Sequence, residues 1–150
     1  MIDKILVAMD GSSHSQKAVE YASEIAAGCK AGLIILTVIK VNQTPKVNKQ
    51  LQAYAELEHI SVSALDAMKL LSNEMLSEAE LVAREKGVTD IKTVVETGPV
   101  ARTIVACAER EKVSLIAIGS RGLGNFEATL RGGVSHRVEL LAKCPVLTIK

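Results

Sequence analysis

Short, continuously apolar runs alternate along the chain with longer stretches in which apolar residues recur every three or four positions. Residues 4–9 (KILVAM) form the first run, and Asp10-Gly11-Ser12-Ser13 after it reads as a turn and a helix cap. Over residues 13–29, Ala18, Ala22, Ile25, Ala26 and Cys29 make one apolar stripe, which predicts a helix whose end is marked by Gly28 and Gly32. Residues 33–39 (LIILTVI) are apolar almost throughout, as a strand covered on both faces must be. Residues 41–50 are polar, include Pro45 and have no period, so a mobile surface loop is expected there. A long stripe then runs through Leu57, Ala64, Leu65, Met68, Leu71, Met75, Ala79, Val82 and Ala83 until Gly87 stops it. Its period is that of a helix lying on a sheet rather than of a coiled coil.

The same alternation continues to the end of the chain. Residues 91–96 predict a strand, Gly98-Pro99 opens a helix through Arg110, and residues 114–118 (SLIAI) predict another buried strand. A glycine-rich loop covers residues 119–131, a helix covers 132–143 with Val134, Val138 and Leu141 inward, and residues 145–149 (PVLTI) form a last strand. Five strands alternating with helices predict an α/β fold with a parallel sheet, right-handed crossovers and helices on both faces. In such sheets ligands bind beyond the carboxyl ends of the strands, where the strand order reverses. Periodicity does not say which strands flank that point.

Composition narrows the function. The 150 residues fit one domain, 1–150, and therefore one site. Apolar residues are 48% of the chain and aromatics only 2%, so the core must be built from Val, Ile, Leu and Ala. Lys plus Arg number 18 against 17 for Asp plus Glu, so no net field favours nucleic acid or an acidic membrane surface. With no Trp and one Phe, platforms for stacking single-stranded bases are scarce as well. Cys29, Cys107 and Cys144 show no metal-ligand or redox spacing, and each is expected as a small core residue. No leader-like stretch follows Met1 and no apolar segment approaches the roughly 20 residues that span a bilayer, so a cytoplasmic setting without a membrane span is expected.

The most informative stretch is Gly119-Ser120-Arg121-Gly122-Leu123-Gly124-Asn125, continued by Gly132-Gly133-Val134-Ser135-His136. Five glycines fall within fifteen residues, between a buried strand and a helix. Glycines there let backbone N–H groups approach an anion without a Cβ in the way, and the following helix adds donors with a partial positive charge. A phosphate chain fits this chemistry. The loop is not a P-loop, because no Gly-Lys-Ser/Thr follows, and no Gly-x-Gly-x-x-Gly opens the helix after the first strand.

These residues carry a family resemblance. Residues 4–12 (KILVAMDGS), Leu36-Thr37-Val38, Gly119-Ser120-Arg121-Gly122 and Cys144-Pro145-Val146 resemble the universal stress protein family along essentially the full chain. Gly119, Gly122 and Gly132 stand at the Gly-x(2)-Gly-x(9)-Gly spacing of its nucleotide-binding branch. The resemblance implies a Rossmann-like fold of the adenine-nucleotide alpha hydrolase type, with strand order 3-2-1-4-5 and the switch point between the first and fourth strands. It implies ATP, or AMP or ADP, as ligand. Asp10 would lie beside ribose and adenine, and the Val38 backbone would meet the adenine edge. Ile118 and Gly119 would flank sugar and phosphates, and Gly122, Gly132, Gly133, Val134 and Ser135 would surround the phosphate chain. Ala8 and Arg121 complete the implied set. A Mg²⁺ ion held mainly by phosphate oxygens is compatible, since no carboxylate cluster offers a protein-only cage.

The chain departs from the family at Gly133, where Ser or Thr is usual, and at Arg131, where an apolar residue is common. Ser135 or Arg131 could compensate for the lost hydroxyl. Asp10 read by itself is also a plausible turn residue. His14, His59 and His136 are dispersed and expected at surface or cap positions, with His14 and His136 near the pocket rim. No Gly-x-Ser-x-Gly elbow surrounds Ser12, Ser13 or Ser120, so no nucleophile is expected. Two function classes remain. One is a nucleotide-binding stress or regulatory module, and the other is a family member acting only through protein contacts; a slow ATP hydrolase ranks behind both. A homodimer through the last strand, 145–150, and a regulatory protein partner of unrevealed identity are the expected associations.

Overall fold

The apolar runs become five strands: β1 (Lys4–Ala8), β2 (Gly32–Ile39), β3 (Ile91–Thr97), β4 (Leu115–Gly119) and β5 (Val146–Ile149). They form a parallel sheet in the order β3-β2-β1-β4-β5, the order that the family resemblance implied. The computed structural model describes residues 1–40, 64–121 and 133–150. The loop expected at 41–50, the early part of the long stripe with Leu57, and His59, Gly122, Gly124, Arg131 and Gly132 lie outside the described residues.

Four helices accompany the strands among the described residues: α1 (Ser13–Cys29), α2 (Ala64–Glu85), α3 (Val100–Glu111) and α4 (Gly133–Leu141). Side chains alternate across the pleat of β1, so Ile5, Val7 and Met9 join a core with α1 and α2, while Leu6 and Ala8 join a second core with α3 and α4. Because both faces are covered, neighbouring residues of either parity are inaccessible: Ile5, Leu6, Ile35 and Leu36 are all 0% exposed. This is why the strands read as unbroken apolar runs rather than alternating ones.

Several inward positions differ from the expectation. On α2 the buried line is Ala67, Ser72, Leu76, Ala79 and Ala83, whereas Leu65 and Leu71 are exposed. The helix packs against α1, whose own inward residues are mostly alanines, and small side chains at this contact let the two approach. The expected stripe is therefore right at Ala79 and Ala83 and out of phase at Leu65 and Leu71. Leu141 is likewise exposed, because Val138 already fills the inward position of α4 one turn earlier.

Gly28 does not end α1. Lys30 does so, in a left-handed conformation with φ of 55°, its N–H reaching the carbonyls of Ala26 and Ala27. Cys29 is exposed and is not a core residue, because the buried stripe of α1 stops at Ala26. Cys107 is buried and Cys144 half-buried. Burial pushes both thiols up, which keeps them protonated and inert.

Candidate functional site

The sheet reverses its order between β1 and β4, so the site is built from the carboxyl ends of these two strands. Ala8 stands between Leu36 of β2 and Ile118 of β4 in register. Ala8 and Ile118 are buried on the α3/α4 side, and half-buried Val38 and Val134 pack against the same core. These four residues give the carboxyl end of the sheet an apolar floor.

Beyond β1 the chain is fixed by hydrogen bonds before it enters α1. The Met9 N–H donates to the Leu36 carbonyl at 2.8 Å, and the buried Thr37 hydroxyl donates to the Met9 carbonyl at 2.9 Å. Asp10 follows, with its N–H donating to Ser15 Oγ at 3.3 Å and its Oδ1 accepting from the Ser12 N–H at 2.9 Å. Gly11 between them has φ of +84°, a backbone conformation that a side chain would strain. Ser12 then caps α1, its Oγ accepting from the Ser15 N–H at 3.2 Å. The Asp10 carboxylate is thus turned back on the amino end of α1 and remains exposed at the rim.

The chain leaving β4 is clasped to that same helix end. Ser12 Oγ donates to the Arg121 carbonyl at 3.2 Å, and His14 Nδ1 shares a 2.9 Å hydrogen bond with Ser120 Oγ. Gly119 lies so close that a Cβ there would stand 2.8 Å from both His14 C and Ser15 N. The Ser120 N–H donates to the Ile149 carbonyl of β5 at 2.7 Å. Its carbonyl faces the buried Ser135 hydroxyl of α4 at 3.5 Å.

Of the residues singled out from sequence, Asp10, Gly119, Arg121 and Ser135 therefore lie along one rim, and Ala8, Val38, Ile118 and Val134 form its apolar floor. Gly133 begins α4, is exposed, and has no atom within 4 Å of where a Cβ would stand. The first N–H groups of an α-helix lack intrahelical partners. His136 instead pairs with Glu139 one turn on, at 3.9 Å.

The cap read at Asp10-Gly11-Ser12-Ser13 is found at Ser12. Sequence reasoning missed the other residues that shape this rim: Ser15 as the partner of that cap, Thr37 as the tie on Met9, and the His14–Ser120 pair. His14 and Ser120 are 106 positions apart, and nothing local marks them as partners.

Two further observations bear on chemistry. A separate cavity of about 340 Å³ lies between α3 and the end of α4, lined by Val105, Ala108, Val113, Ile116, Ala142 and Cys144 among others, and none of the candidate residues reaches it. Among the described residues no group of three or more His, Cys, Asp or Glu side chains could hold a metal, and no helix is long and apolar enough to cross a membrane.

Comparison with known proteins agrees with this architecture. The family model of the universal stress protein family matches residues 1–150. The universal stress protein YxiE of Bacillus subtilis is 35% identical over 150 residues, covering 100% of both chains. Among solved structures, a universal stress protein in complex with cAMP superposes with a TM-score of 0.73 at 28% identity, covering 99% of this chain and 97% of that one. The universal stress protein UspA from Lactobacillus plantarum has a TM-score of 0.81 at 23% identity, covering 99% and 98%, and shows the shared fold. With the family model matched over residues 1–150 and a relative 35% identical from end to end, the chain belongs to the universal stress protein family.

Proposed function

We propose that the protein binds an adenine nucleotide, ATP or its relatives AMP and ADP, in the crevice between β1 and β4, and that it serves as a stress-response or regulatory module rather than a self-sufficient enzyme. The observation that carries this reading is the rim itself. Asp10 stands directly beyond β1, across the order reversal from Ser120 and Arg121 after β4, with an apolar floor beneath and the start of α4 at Gly133. An adenine needs an apolar slot with polar backbone edges, a ribose needs a hydrogen-bond acceptor, and a phosphate chain needs unpartnered N–H groups.

The parts divide accordingly. Ala8 and Val38 hold the base, Asp10 accepts from the ribose hydroxyls, and Ile118 flanks the sugar and phosphates. Gly119 and Arg121 border the phosphates, and Gly122, Gly132, Gly133, Val134 and Ser135 surround them. Phosphate oxygens supply the ligands of any Mg²⁺, in keeping with the lack of a side-chain cluster among the described residues. The related structure that contains cAMP supports an adenine nucleotide as the class of ligand.

The setting is cytoplasmic, and the module acts as a homodimer through β5 with a regulatory protein as its further partner. β5 occupies one edge of the sheet, where an unpaired strand can add a copy of itself. Calorimetry with ATP, AMP and GTP, together with extraction of nucleotide from freshly purified protein, tests the ligand. Heat with the adenine nucleotides and none with GTP is expected. No heat at millimolar nucleotide, and no nucleotide carried through purification, would leave the family member that works by protein contacts alone.

A further inference from the structure

Ser120 is the point at which four elements meet. Its N–H goes to Ile149 of β5, its carbonyl takes Ser135 of α4, its hydroxyl pairs with His14 of α1, and its backbone continues β4. The two walls of the proposed phosphate region, the amino ends of α1 and α4, are on opposite faces of the sheet and touch different cores. Among the described side chains at the rim, His14 and Ser12 are the groups of α1 that reach across to the chain after β4. Ser12 Oγ caps its own helix and also reaches the Arg121 carbonyl, while the His14 ring is the link that meets Ser120 itself.

We propose that His14 is a positioning residue: through Ser120 it holds the loop after β4 against α1 and so sets the distance between the two helix ends that frame the phosphates. The inference rests on the nucleotide reading given above. His14 Nδ1 is half-buried and bonded to Ser120, so it acts on the loop rather than on a ligand. In that reading the adenine and ribose contacts come chiefly from Ala8, Val38 and Asp10, on the β1 and β2 side of the crevice. Loss of the link therefore loosens the phosphate half of the site and spares the base half.

The test uses the full chain with His14→Ala, Ser120→Ala and His14→Asn, whose amide places a polar atom where Nδ1 stands. Amide hydrogen exchange over residues 119–121 reports the clasp without any ligand, and calorimetry with ATP and with adenosine reports its effect. For His14→Ala and Ser120→Ala, faster exchange is expected, with a roughly three- to tenfold loss of ATP affinity and unchanged adenosine affinity, the range of one hydrogen bond. His14→Asn should restore both. Unaltered exchange in His14→Ala, an equal loss for ATP and adenosine, or no rescue by Asn overturns the proposal. If the wild-type chain binds neither compound, the nucleotide reading fails, and the exchange data alone decide whether His14 holds the loop.

Discussion

Gly119 at the end of β4 and His14 in the first turn of α1 are in such close apposition that a single added Cβ would stand 2.8 Å from the His14 carbonyl carbon. The glycine that sequence reasoning assigned to the ligand thus has a packing reason of its own. The atoms it would meet are backbone of His14 and Ser15, which cannot swing aside as a flexible side chain can, so Gly119→Ala should destabilise the protein by about 1–3 kcal/mol as an overpacking change. A fall in the urea midpoint at constant m-value is the measurement, and wild-type stability would show that α1 can shift at little cost.

Gly133 is the opposite case. Open space surrounds its missing Cβ, and it starts α4, where a serine is well tolerated. Gly133→Ser should leave thermal stability within about 0.5 kcal/mol of wild type. Restoring the hydroxyl usual in the family should tighten ATP by roughly tenfold or more, since a hydrogen bond to a charged group is worth about 1.5–3 kcal/mol net. AMP should gain less if the hydroxyl reaches the outer phosphates. Equal affinities in the two proteins would mean that the phosphates do not lie at this helix.

Thr37 couples stability to the position of Asp10. Its buried hydroxyl donates to the Met9 carbonyl, the last group before the rim. Thr37→Val keeps the shape but leaves that carbonyl without its side-chain donor, at a cost of about 1–3 kcal/mol. Both a lower melting temperature and weaker adenosine binding are expected. A melting temperature that falls while adenosine affinity holds would show that Asp10 keeps its place without this tie.

At the β5 edge the hydrogen-bond phase matters. Pro145 and Ile149 turn their carbonyls to β4, and in a parallel ladder Leu147 lies in phase with them, so the N–H groups of Val146 and Thr148 face outward. Thr148→Pro should therefore yield monomers in light scattering, with Thr148→Val, which keeps the N–H, remaining dimeric. Leu147→Pro breaks the β4 pairing instead and should lower the melting temperature. A persistent dimer in Thr148→Pro would place the interface elsewhere.

The apolar runs of β1, β2 and β4 were legible because strands covered on both faces admit no polar alternation, and the alternation of strands and helices among the described residues followed from them. The glycine-rich stretch and Asp10-Gly11-Ser12 were equally plain, since turn and cap chemistry is local. Local pattern did not decide which side of α2 is buried, because Ala67 and Ser72 are inward while the more hydrophobic Leu65 and Leu71 are exposed. Nor did it decide that Lys30 would close α1, as the tertiary path into β2 imposes the left-handed turn there. The strand order came from resemblance, not from period. The clasp of His14 on Ser120 and the pressure of Gly119 on the same helix turn exist only once β1 and β4 lie side by side, since a contact across 106 positions is created by the sheet and by nothing in either segment alone.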